Sequence, residues 1–200
     1  GREIRRTALY RWWLIAVGWL YGALSGDDLG YAIERGTLLA DPLLLALMLA
    51  AGALYTARFL GAYASIGFTV GAISLFPLAA NFQPGAPDPH SLSWVLALGS
   101  ILPFFASSRR AASSGRIRFA IAGALGGLGF WNDASSQAPV LLAISLGALS
   151  YELVRSRLVD GESMSPSHWR QWALAGAITT LAASVFEFAP DHFSWSIDAV

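Results

Sequence analysis

The sequence predicts an all-α polytopic membrane protein with seven transmembrane helices, its N-terminus in the cytoplasm and its C-terminus outside. Three observations predict it. Apolar residues fill 55% of the 200 positions and charged residues only 13%, too few for the polar shell of a soluble domain, where about a quarter of residues are charged. Mean hydropathy is +0.52. Apolar runs recur at 8–25, 39–57, 63–82, 92–106, 117–131, 139–157 and 171–189, most of them near the length of about 20 residues needed for one crossing.

Taken in order, the runs carry their own punctuation. The first holds Gly18, Gly22 and Gly26, a four-residue spacing that lets helices approach closely. The second opens on Asp41-Pro42, read as an N-cap followed by proline at the first helical position. Pro77 and Pro103 lie inside the third and fourth runs and should kink them. Gly67 with Gly71, and Gly123 with Gly127, repeat the small-residue spacing in the third and fifth runs. The fifth is short for a crossing. Ala138-Pro139 marks the start of the sixth.

Charge orients the runs. All thirteen basic residues are Arg, and strict alternation puts Arg2, Arg5, Arg6, Arg11, Arg58, Arg109, Arg110, Arg116, Arg118, Arg155, Arg157 and Arg170 on one side, with only Arg35 opposite. The arginine-rich side is cytoplasmic by the positive-inside rule. The other side collects Asp27, Asp28, Glu34, Asp41, Asp88, Asp133, Glu187, Asp191 and Asp198. Removing the fifth run would break this alternation. No cleavable signal is expected, since no small-residue cleavage pattern follows the first run.

The first three runs resemble the last three. Gly71-Ala72-Ile73-Ser74 matches Gly176-Ala177-Ile178-Thr179, and the exit Ala86-Pro87-Asp88-Pro89-His90 matches Ala189-Pro190-Asp191-His192. Asp28 and Asp133 stand at the same spacing as the two glycines. A parallel 3+1+3 internal repeat follows: a first three-helix unit over 8–90, a linker helix with an Arg-rich loop over 91–116, and a second unit over 117–196, as some transporters are built. The organisation resembles seven-span sugar-efflux and nicotinamide-riboside carriers in architecture, without the sequence signature of either.

The absence of cysteine removes disulfides and thiolate chemistry, and the absence of lysine removes Schiff bases. No phosphate-loop, HExxH, GxSxG or dinucleotide motif occurs. No cofactor is named by the sequence. Nucleic acid is not an expected partner, because the arginines flank spans.

The candidate substrate or proton pathway is Glu187, Asp133, Asp28, Asn81 and Trp19. Glu187 lies in an apolar run, where carboxylates often mark proton paths. A candidate metal set is His90, His192, Asp88 and Asp191, imidazole and carboxylate ligands brought together by the duplicated exits. Glu152 is expected to pair locally with Arg155.

These features point to a small-solute or ion transporter of the cytoplasmic (inner) membrane, proton-coupled, with an acidic outward vestibule. The alternatives are a membrane-embedded enzyme acting on a lipid or isoprenoid, and a non-catalytic membrane subunit or assembly factor. The expected partners are the bilayer, a small-molecule or lipid substrate and, through the glycine-lined faces, a second copy of the chain.

Overall fold

The structure is a computed structural model that describes residues 8–105, 112–158 and 166–187. Among them it is all-helical: α1 (Ala8–Ser25), α2 (Leu29–Phe59), α3 (Ala62–Ser74), the single turn α4 (Phe76–Ala79), a 3₁₀ turn (Ala80–Phe82), α5 (Pro89–Phe105), α6 (Ala112–Asn132), α7 (Ala134–Leu158) and α8 (Pro166–Glu187). Seven long helices therefore stand where seven apolar runs are predicted. Two of them, α2 and α7 as far as Val154, are long and apolar enough to cross a membrane.

The helix ends follow local chemistry. Gly26, at φ +78°, ends α1 in the left-handed region, and its N–H donates to Gly22 O at 2.8 Å. Asp28 caps α2, its carboxylate accepting from Gly30 N at 3.3 Å. Gly61, at φ +103°, separates α2 from α3. The run 63–82 does not form one kinked helix. It breaks at Leu75, two residues before Pro77, and continues as two short turns.

Two expected helix starts are corrected. Asp41-Pro42 does not open a helix, because α2 begins at Leu29 and passes through Pro42. The missing proline N–H would leave Leu38 O without its helical donor, and Gly85 N–H takes that carbonyl at 3.3 Å. Pro139 likewise lies inside α7, which starts at Ala134 after Asp133. The Asp-Pro start occurs instead at Asp88-Pro89, where Asp88 accepts from His90 N at 2.9 Å and α5 begins.

α1 and the first part of α2 form a hairpin with backbones in near contact: a Cβ on Gly36 would lie 2.6 Å from Gly18 Cα. Tyr10, third residue of α1, reaches Asp41, and Asp41 also holds Ser91 near the start of α5. Trp12 meets Phe186 near the end of α8, with ring centroids 5.9 Å apart. The start of α1 and the end of α8 therefore lie at the same end of the molecule. Among the described residues this departs from the strict alternation, which would set the start of α1 and the end of α8 at opposite ends. A helix of 18 residues spans about 27 Å, so α1 cannot start at the opposite end and still make these contacts. Arg11 accordingly sits at the end that carries Asp88 and Asp133.

The two triplets of the expected repeat also pack differently. α1 packs on α2 and α2 on α3, whereas α8 packs along α6 and α7 stands aside. Gly71 faces open space, but its counterpart Gly176 lies against Gly123, where a Cβ would come 3.1 Å from the carbonyl. What survives is local: Asp28 and Asp133 both cap the helix that follows them.

The core joins Tyr10, Leu44, Met48, Ala72, Leu78, Phe82, Leu92 and Leu96, where α1, α2, α3, the short turns and α5 meet. Outside it, large apolar side chains face outward on every long helix, Leu24 (81%), Leu54 (72%) and Tyr63 (92%) among the most exposed.

Candidate functional site

α5 carries polar clusters on opposite faces. Ser93 and Ser100 are seven residues apart and share a face, while Ser91 is turned about 200° from Ser93. All three are buried, so each hydroxyl needs a protein partner.

The Ser91 face is closed. Asp41, 1% exposed, accepts from Tyr10 Oη (2.9 Å to Oδ1, 3.0 Å to Oδ2), from Ser91 Oγ (2.7 Å) and from Asp88 N (3.0 Å). A carboxylate in the core of an apolar helix cluster is tolerated only with its oxygens satisfied, and here three elements supply the donors. The cluster ties α1, α2 and the α5 entry together.

The Ser93 face is equally buried but incompletely paired. Asn132 Nδ2 donates to Ser93 Oγ (2.9 Å) and to Pro89 O (3.2 Å), and Gln137 Nε2 donates to Ser100 Oγ (3.5 Å). Asn132 is 3% exposed and Gln137 1%, yet Asn132 Oδ1 and Gln137 Oε1 meet no donor among the described residues. Gly129 makes room: a Cβ there would sit 2.6 Å from Gln137 Oε1. The seam lies between α5, the end of α6 and the first turn of α7.

Titratable groups gather at the same end. Asp133, between α6 and α7, accepts from Ser135 N (3.1 Å), Ser135 Oγ (2.6 Å) and Ser136 Oγ. Burial pushes its carboxyl up, but the serine and backbone hydrogen bonds outweigh that and hold it below the usual carboxylate range. His90 Nδ1 lies 3.7 Å from Asp133 Oδ2, on a side chain 60% exposed. Glu187 accepts from Trp131 Nε1.

The predicted residues divide accordingly. Asp88, His90, Asp133 and Glu187 come to one end of the molecule. Asp28 caps α2 at the far end of the hairpin, and Trp19 is exposed on α1 (65%). Asn81 lies in the 3₁₀ turn. His192 and Asp191 are outside the described residues, as is the side chain of Arg155; among the described residues no three potential ligands cluster as a metal site. Sequence reasoning missed Asn132, Gln137, Ser93 and Ser100. Their signal was Ser93 and Ser100 at a seven-residue spacing within one apolar run, and two side-chain amides, Asn132 and Gln137, between two others.

A second feature is a lateral groove of about 600 Å³ between α7 and α8, floored by Gly123, Gly127 and Gly176 and edged by Phe130, Leu141 and Trp172. Its lining is apolar except for Thr180 and Ser184. No protein-family model, curated protein or solved structure matches the chain.

Proposed function

We propose that the chain is an integral protein of the cytoplasmic membrane that moves a small solute or ion along the Ser93–Ser100 face of α5. The outward-facing apolar side chains support membrane insertion, since an aqueous surface rarely exposes large contiguous apolar area. Charge supports an orientation for α2 to α8: Arg58, Arg116, Arg118 and Arg170 flank one set of helix ends, and Asp88, Asp133 and Glu187 the other. On this reading six helices cross, the arginine ends face the cytoplasm, and the α1–α2 hairpin extends from the acidic mouth, with Trp12 and Trp19 suited to the interface.

The single observation that carries transport is the seam: buried side-chain amides with free acceptor capacity inside an apolar helix package. Polar groups within a membrane segment commonly mark a solute path. Glu187, beside Trp131 at the mouth, remains the candidate for proton coupling. The test is flux in proteoliposomes. Gln137→Leu and Asn132→Leu should each abolish uptake, and Glu187→Gln should abolish only its dependence on a proton gradient. Unchanged flux in both Leu variants removes the seam as the path.

A lipid-handling role, enzymatic or binding, is the second reading, and the lateral groove favours it. Native mass spectrometry of the purified protein tests it: a retained lipid that Ala177→Trp, an exposed lining position, excludes supports the groove, and no retained lipid removes this reading.

A further inference from the structure

We infer that the lateral groove between α7 and α8 seats one acyl chain of an anionic phospholipid, whose phosphate is held at the end of the groove by Arg116 and Arg170. The inference rests on the lipid reading above, and gives that lipid a class and an orientation.

The groove has the depth of a single chain. It encloses about 600 Å³ and is apolar but for Thr180 and Ser184. Along α8 it runs from Trp172 to Ser184, which is about 18 Å of helix. The hydrocarbon of one leaflet is about 15 Å deep, half of the whole core, so the groove takes a chain from one leaflet rather than two. Its α7 wall leaves it accessible: only 6% of the apolar stretch of α7 is buried, so lipid tails reach the groove from the side.

Charge fixes the polar end. Gly115 lies against His168 and Gly123 against Trp172, so α6 and α8 run side by side in the same direction. Arg116 then stands level with the first turn of α8, about one turn short of Arg170. Both lie on the groove faces of their helices. Arg116 is seven residues before Gly123 and Arg170 seven before Ala177, and both of those later residues line the groove. Long side chains on a helix lean toward its N-terminus, here outward past Trp172. Arg116 and Arg170 are exposed, and neither pairs with an acid among the described residues. Arg118, by contrast, is turned to α2, with its guanidinium 5.2 Å from the Phe59 ring.

The sign of the headgroup follows. At this end the described residues include one acidic side chain, Glu152, against Arg58, Arg116, Arg118 and Arg170. Two unpaired guanidinium forks suit a phosphate, which accepts from them in the bidentate way. In the orientation proposed above this end is cytoplasmic, the side whose leaflet carries anionic lipid.

The experiment is native mass spectrometry of the full chain, delipidated in detergent and offered phosphatidylglycerol or diacylglycerol with the same acyl chains. The expected result is one phosphatidylglycerol per chain, held in preference to diacylglycerol. Arg116→Gln and Arg170→Gln should each weaken that preference about fivefold, and together about thirtyfold. Arg58→Gln, at an exposed arginine of the same end on α2, should leave it unchanged, and Ala177→Trp should exclude both lipids. Should the arginine variants fail to fold, salt replaces them: the preference of the wild type should fall as NaCl is raised, because exposed charge contacts are screened. Equal retention of the two lipids, indifferent to salt and to the arginines, overturns the inference and leaves the lipid reading standing. An effect of Arg58→Gln as large as that of the other two makes the attraction diffuse and overturns the site. No retained lipid, or a second copy of the chain that Ala177→Trp displaces, overturns both inference and reading.

Discussion

Asp41→Ala is the substitution whose effect can be worked out most directly. It removes the acceptor of Tyr10 Oη and of Asp88 N, both inside the packed junction of α1, α2 and α5. Ser91 Oγ keeps an alternative, Asp88 O at 2.7 Å, so it is not orphaned. The orphaned, buried Tyr10 hydroxyl costs about 1–3 kcal/mol, and the part-buried Asp88 N–H, nearer water, adds less, so the whole loss should be about 1–4 kcal/mol. Tyr10→Phe removes one donor and leaves the carboxylate its other two, so it should cost about 1–2 kcal/mol. The signature is the cycle: in the Asp41→Ala background Tyr10→Phe removes an orphan and should be neutral or stabilising. Reversible unfolding in mixed detergent micelles, followed by far-UV circular dichroism, measures all four proteins. If Asp41→Ala falls within about 0.5 kcal/mol of the wild type, as an ordinary surface substitution does, or if the two changes add, then Asp41 does not tie these helices together.

Two further predictions concern topology and pH. The chain has no cysteine, so single cysteines report sidedness without background. Arg11→Cys and His90→Cys should react with a membrane-impermeant maleimide from the same side, and Arg170→Cys from the other; opposite labelling of Arg11→Cys and His90→Cys would restore the alternating arrangement. Asp133 has a folded pKa held below its unfolded value, so its contribution to stability is complete above the ordinary carboxylate pKa of about 3.9. That contribution is lost as pH falls through the lower folded value. The Tm difference between wild type and Asp133→Ala should therefore shrink below about pH 4, and a difference that grows on acidification contradicts the assignment.

Much of the local structure was legible before any packing was known. A helix covers all or most of six of the seven apolar runs and the first part of the run 63–82, because an unbroken apolar segment satisfies its backbone most simply as a helix. The fifth run, short by hydropathy at 117–131, belongs to a helix of 21 residues, since Ser113, Ser114 and Arg116 extend it with polar residues that apolar windows ignore. The caps were harder. Asp41-Pro42 and Asp88-Pro89 are the same dipeptide, yet only the second starts a helix. The difference is Gly85, distant in sequence, whose N–H takes the carbonyl that Pro42 releases. A Pro inside a helix is tolerated where another segment satisfies the backbone, and no window of sequence around Pro42 contains that segment.

The candidate site shows the same division. Composition and hydropathy determined that this is an apolar chain, all-helical among the described residues, with most of its arginines beside apolar runs, because those properties depend on each residue's own transfer free energy and on its near neighbours. Acidic and histidine residues at loop positions were visible for the same reason. Only the tertiary structure decided which polar residues meet. It brought Tyr10 to Asp41, thirty-one positions apart, and Ser91 to the same carboxylate across fifty. Among the described residues it left Asn132 and Gln137 each with one amide oxygen unmatched, while giving Asp41 on the opposite face of α5 three donor groups. Whether a buried polar group is closed into a structural tie or left open to a ligand depends on the count of donors and acceptors around it, and that count exists only once the helices are packed.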